Sequence, residues 1–169
     1  MATAKRPQND AVDAIELLTA DHKRVKALFK QYKKLAEEGA SVPQRREIAE
    51  QICTELTVHA QIEEELFYPA VRKVLDEKDL IDEATVEHAS AKDLIAQIQA
   101  MHPREKLYDA KVIVLGEYVD HHVKEEQNEI FKKVKDSGLD LQRLGAKLSQ
   151  RKAALMSELG LGEEVPVEV

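Results

Sequence analysis

His59-Ala60-Gln61-Ile62-Glu63 and His122-Val123-Lys124-Glu125-Glu126 decide the fold of this chain. In each segment a histidine and a glutamate stand four residues apart, which places them one turn apart on one face of a helix. Working outward, each pair has a further histidine upstream in a matching context. Asp21-His22-x3-Lys26-x-Leu28 puts a histidine 37 residues before His59, and Glu87-His88-x3-Lys92-x-Leu94 puts one 34 residues before His122. Each gap is the length of a helical hairpin. The chain is therefore a tandem repeat, each copy supplying a lone histidine and then a His-x3-Glu pair.

The flanking apolar residues keep helical period around these positions. From Ala11 to Glu38 they run Ile15, Leu18, Val25, Phe29, Tyr32 and Ala36, and Gly39 ends the helix. Ser41-x-x-Gln44 reads as a capping box with Pro43 in the first turn. It opens a second helix to Leu75, with Ile48, Ile52, Leu56, Ile62 and Leu66 inward and a kink expected at Pro69. Asp76–Asp79 make a polar break before a third helix, which carries Ile81, Ala84, Ala91, Ile95 and Ile98 and stops near Met101-His102-Pro103. A fourth runs from about Arg104 to Lys135 and ends at Ser137-Gly138. Asp140 can cap a fifth, with Leu141, Leu144, Leu148, Leu155 and Leu159 on one stripe.

Short connections make consecutive helices antiparallel. The expected architecture is all-α, an up-down-up-down four-helix bundle over 11–136 with an additional C-terminal amphipathic helix over 139–160. Residues 1–10 read as a mobile leader and 161–169 as a loose acidic tail. The fifth helix must bury its stripe, on the bundle or against a second subunit.

Composition narrows the function classes. At 169 residues, 43% apolar and 34% charged, the chain has the size and make-up of one globular domain. A net charge of -7 and the absence of Trp argue against a nucleic-acid surface. No apolar run is long enough for a membrane span and the N-terminus carries no secretory signal, so a cytoplasmic location is expected. Cys53 is the single cysteine and reads as a small buried hydrophobe.

The same helical phase turns six polar side chains inward: His22, His59, Glu63, His88, His122 and Glu126. Buried carboxylates and imidazoles need partners. Metal cations satisfy all six together: two ions, each held by two imidazoles, with the glutamates able to bridge. His121 and Glu125 form a competing pair about 100° round the fourth helix. Glu64 and Glu65 read as solvated, and His102 as a helix-end residue that caps carbonyls or favours the dipole.

These residues resemble the hemerythrin-like HHE cation-binding family. The resemblance rests on Asp21-His22-x-x-Val25-Lys26-x-Leu28-Phe29, His59-x3-Glu63-Glu64-Glu65-Leu66-Phe67-Tyr68-Pro69, Glu87-His88 and His122-x3-Glu126-x3-Ile130-Phe131. It implies a non-haem diiron centre, with the six inward residues as ligands. It also implies oxygen, peroxide or nitric oxide as the small ligand, or a sensory role. The chain departs from the oxygen-carrying branch: Lys92 stands where that branch has a second histidine, and His122-x3-Glu126 replaces its His-x4-Asp. Fewer protein ligands leave coordination positions open, which favours reaction with a small oxidant over reversible oxygen carriage. Zinc or manganese are substitutes that the donor set would also accept. Tyr118, one turn before His122, is a candidate extra ligand or a half-buried surface tyrosine. The alternative function is a redox, oxygen or iron sensor that signals through the C-terminal helix, either to a protein partner or across a homodimer.

Overall fold

The computed structural model describes residues 12–160. The expected leader and tail lie outside them. All regular structure among the described residues is helical. Helix α1 spans Ala14–Glu37 and opens on a capping box between Asp13 and Glu16. Ser41 and Gln44 form the second capping box, which starts α2 (Val42–Ile62). A π-helical turn, Glu63–Phe67, leads without a break into α3 (Tyr68–Val74). Helix α4 covers Lys78–Ala100. Helix α5 (Tyr108–Glu125) passes through a second π turn, Glu126–Ile130, into α6 (Phe131–Lys135). Helix α7, Leu141–Glu158, is capped by the Asp140 side chain, which accepts from the Arg143 amide at 3.0 Å.

The bundle closes in the order α1, α2, α4, α5, with α1 touching both α2 and α5 and α4 touching both α5 and α2. The fourth helix begins at Tyr108, later than the expected Arg104. The His102 ring accepts from the Arg104 amide, and the Glu105 side chain accepts from the His102 amide. These bonds hold residues 102–105 in a turn outside the helix. His102 thus accepts from one amide, where capping of carbonyls or a favourable contact with the dipole was expected.

Helix α7 packs on its own bundle, against α1, α2 and the first π turn. Leu144, Leu148, Leu155 and Met156 are buried there. Leu159, expected on the stripe, is 52% exposed. Gly145 allows the close approach: an added Cβ would stand 2.4 Å from the Val12 carbonyl oxygen.

Two apolar clusters fill the bundle. One joins Leu18, Ile62, Phe67, Val71, Ile81 and Phe131 with the inner side of α7. The other joins Val25, Leu28, Tyr32, Ile52, Ile95 and Leu115. Along α1, His22 falls between Leu18 of the first cluster and Val25 of the second, so the polar residues lie in the seam between the clusters.

Both π turns begin at an inward glutamate. The Tyr68 amide donates to the Glu63 carbonyl and the Phe131 amide to the Glu126 carbonyl, each across five residues. Pro69 lies just after the first turn, but Glu126–Ile130 and Phe131–Lys135 contain no proline, so proline is not the common cause. The extra residue in each turn advances the helical phase. As a result Phe67 and Tyr68 are both buried, whereas Leu66, expected inward, is only partly so.

Candidate metal centre

The structure brings all six expected residues together. Glu63 and Glu126 are fully enclosed, His22, His59 and His88 are buried, and His122 is partly covered. His22, His59, Glu63 and Glu126 each offer one ligand atom to a group within 4.8 Å of one another, and Glu63, His88 and His122 form a second such group. Glu63 belongs to both. Its Oε1 is 3.0 Å from His59 Nε2 and 3.4 Å from His88 Nε2. Glu126 spans the seam in the same way, with Oε1 3.2 Å from His22 Nε2 and Oε2 3.4 Å from His122 Nε2.

The donor atoms fit cations. Nε2 of His22 and His59, both oxygens of Glu63 and Oε1 of Glu126 are buried without a hydrogen-bond partner. Leaving so many polar atoms unsatisfied inside a protein is costly. Imidazole nitrogen with carboxylate oxygen and no thiolate suits first-row transition ions. These residues could hold two metal ions that share the glutamates.

A layer of carboxylates orients the two paired imidazoles through their other nitrogen, as ligating histidines require. Its pattern repeats. Asp21 Oδ2 is 2.9 Å from His59 Nδ1, and Glu87 Oε1 is 3.2 Å from His122 Nδ1. Each acid that precedes a lone histidine therefore serves the paired histidine of its own repeat. Across the repeats, the residue after each inward glutamate meets the lone histidine of one copy. The Gln127 amide nitrogen is 3.1 Å from His22 Nδ1, and Glu64 Oε2 lies 3.5 Å from His88 Nδ1 without forming a hydrogen bond. Glu64, expected to be solvated, is thus part of the site's surroundings and also accepts from Lys92 at 2.6 Å.

Two further residues were not foreseen as part of the site. The Tyr68 hydroxyl donates to Glu126 Oε2 at 2.5 Å and lies 3.3 Å from His88 Nε2 and 3.4 Å from His122 Nε2. Tyr118, the tyrosine singled out from sequence, is 53% exposed. The π turn explains the exchange, because it rotates Tyr68 inward. Lys152 of α7 donates to Asp21 Oδ1 at 2.7 Å, behind His59. The competing pair, His121 and Glu125, lies on the surface at 3.2 Å.

The electrostatics follow from burial and contact. Burial pushes the Asp21 carboxyl up, but the His59 hydrogen bond and the charges of His59 and Lys152 outweigh it and hold the group below its ordinary range. Burial pulls His59 and His122 down. Glu63 and Asp21 reverse this for His59, raising it well above its ordinary value, and Glu126 lifts His122 to about 9. Burial and the charges of Glu63 and Glu126 raise the Tyr68 hydroxyl well above its ordinary value, so it acts as a proton donor to Glu126 at neutral pH.

An antiparallel helical bundle with a His/Glu centre in its seam defines the class as a bundle metalloprotein. The chain belongs to the hemerythrin HHE cation-binding domain family, whose match covers residues 13–134 and so implies the binding of metal cations. It is 31% identical over 123 residues to a protein of Nostoc sp. named DNA nickase; the match takes in 72% of this chain but only 33% of that protein. In fold it is similar to the crystal structure of a hemerythrin HHE cation binding domain-containing protein from Mycobacterium kansasii. The TM-score is 0.73 at 24% identity, over 87% of this chain and 89% of that one.

Proposed function

We propose that the chain is a non-haem diiron protein that binds or reacts with a small oxidant, with peroxide, nitric oxide and oxygen as the class. One observation carries this reading: four imidazoles and two carboxylates, one of them shared by both ligand groups, converge from four helices, and all four imidazoles line one cavity. A pair of iron ions, when bound, supplies one-electron redox changes that protein side chains do not offer. The chain's own residues hold and orient it. Asp21 and Glu87 fix the rings of His59 and His122, Tyr68 holds a proton against Glu126, and the apolar clusters on either side exclude bulk water. Zinc or manganese would fit the same donors.

Metal analysis of the natively purified chain tests this, with an optical spectrum before and after addition of hydrogen peroxide. About two irons per chain and bands that change on addition are expected. A colourless protein that stays spectrally flat after iron loading would refute it.

A second reading, a sensor that signals through the C-terminal helix, has one observation in its favour. Lys152 links α7 to His59 through Asp21, so a change at the site has a physical route to that helix.

A further inference from the structure

A cavity of about 550 Å³ opens over the four histidines, between α1, α2, α4 and α5. Its floor is polar: His22, His59, His88 and His122 line it, whereas Glu63 and Glu126 do not. Its walls are apolar, formed by Val25 of α1, Leu56 of α2, Ala91 and Ile95 of α4, and Val119 and Val123 of α5. Val86, 66% exposed, and Tyr118 stand in the lining as well. A diatomic molecule or hydrogen peroxide needs little more room than one or two waters, at ~30 Å³ each. Cavities of roughly 300–1,000 Å³ with apolar walls and a few convergent polar groups hold organic ligands.

Charge defines the ligand further. Asp21 and Glu87 line the cavity, and Glu63 and Glu126 lie within reach of the histidines behind it. Lys92 is the one lysine or arginine in the lining, and it is engaged with Glu64 at 2.6 Å. A head group with an O–H would find the Asp21 and Glu87 carboxylates at the histidine end as acceptors.

The geometry points to a binding site for a small organic molecule, an apolar alkyl or aryl body carrying one oxygen head group, with organic hydroperoxides and their alcohols as the class. The body sits between α2 and α4 and the head faces the histidines. This rests on the peroxide reading above and names the larger member of that class that the cavity accommodates.

The test is calorimetric titration of the natively purified full chain with cumyl alcohol, an unreactive alcohol with the skeleton of an aryl hydroperoxide. Methyl NMR of the same protein locates the bound molecule. Saturable binding of one cumyl alcohol per chain is expected, with shifts on Val25, Leu56, Ile95 and Val119. Ala91→Phe of α4 and Ala60→Phe of α2, both in the lining, fill the cavity. Each is expected to weaken binding at least tenfold while helicity and metal content stay unchanged. Absence of saturable binding, shifts located elsewhere, or a folded filling variant that binds as before would overturn the proposal. The two readings fail separately. A chain that responds to hydrogen peroxide but does not bind cumyl alcohol keeps the function and loses this site. One that binds cumyl alcohol but ignores hydrogen peroxide does the reverse.

Discussion

Asp21 pairs with His59, 38 residues away, and not with His22, its neighbour in the chain. Its other oxygen takes Lys152 of α7. One carboxylate thus joins α1, α2 and α7 behind a candidate ligand. Asp21→Asn should lower metal affinity about tenfold to a hundredfold, the usual effect of losing the group that orients a ligating histidine. Lys152→Met should act in the same direction, and should also cost about 3 kcal/mol of stability by leaving Asp21 buried without its cation. Metal titration and thermal unfolding measure both. Wild-type affinity in the two variants would show that the ring of His59 needs no such support.

Shared and unshared donors should differ in stoichiometry. Glu63 belongs to both ligand groups, whereas His22 belongs to one. Glu63→Ala is expected to reduce metal content at both positions, and His22→Ala to leave close to one ion per chain. Elemental analysis of the helical, folded variants decides. Equal loss in both would mean that the two positions fill only together.

Tyr68→Phe removes the donor to Glu126 Oε2 and little else. Hydrogen bonds to charged groups contribute about 1.5–3 kcal/mol, so the metal-free variant should unfold at a lower temperature. Metal stoichiometry should hold, because the six His and Glu donors remain, while the response to peroxide should change as Glu126 loses its proton donor. If metal were lost with the hydroxyl, Tyr68 would have to be counted among the ligands.

Gly145→Ala tests the docking of α7. The added methyl would meet backbone at 2.4 Å from Val12 O and 2.8 Å from Ala14 N, and backbone has little freedom to yield. A loss of about 1–3 kcal/mol is expected, with faster proteolysis of α7. Unchanged stability and protection would show that the N-terminal residues give way easily.

Burial, with the Glu50 charge adding to it, pushes the Cys53 thiol up to about 12. A raised value keeps the thiol protonated through neutral pH, and the thiolate is the reactive form. At pH 8 a thiol-specific reagent should label the folded protein far more slowly than the chain in guanidinium. Labelling at equal rates would place Cys53 at the surface.

Much of the fold was legible because its signals are local. Ser41-x-x-Gln44, Asp140 and the glycines after the helices act within a turn, so their chemistry is written in adjacent residues. His22, His59, Glu63, His88, His122 and Glu126 were legible as a set because each keeps step with an apolar neighbour such as Leu18, Leu56, Ala84, Leu115 or Val119 along its helix. Tyr68 was not, since a strict 3.6-residue period turns Leu66 inward there. The bond from the Tyr68 amide to the Glu63 carbonyl shifts that phase, and no spacing in the sequence announces it.

By itself, then, the sequence determined the helices, their antiparallel order and the six polar residues that face the seam, because periodicity and capping depend on near neighbours. Only the tertiary structure decided which acid serves which histidine, that Tyr68 and not Tyr118 reaches the site, and that α7 covers its own bundle. Those outcomes depend on distances between helices dozens of residues apart in the chain. They are set by how side chains such as Gly145, Lys152 and Phe131 pack, and local pattern carries no record of that packing.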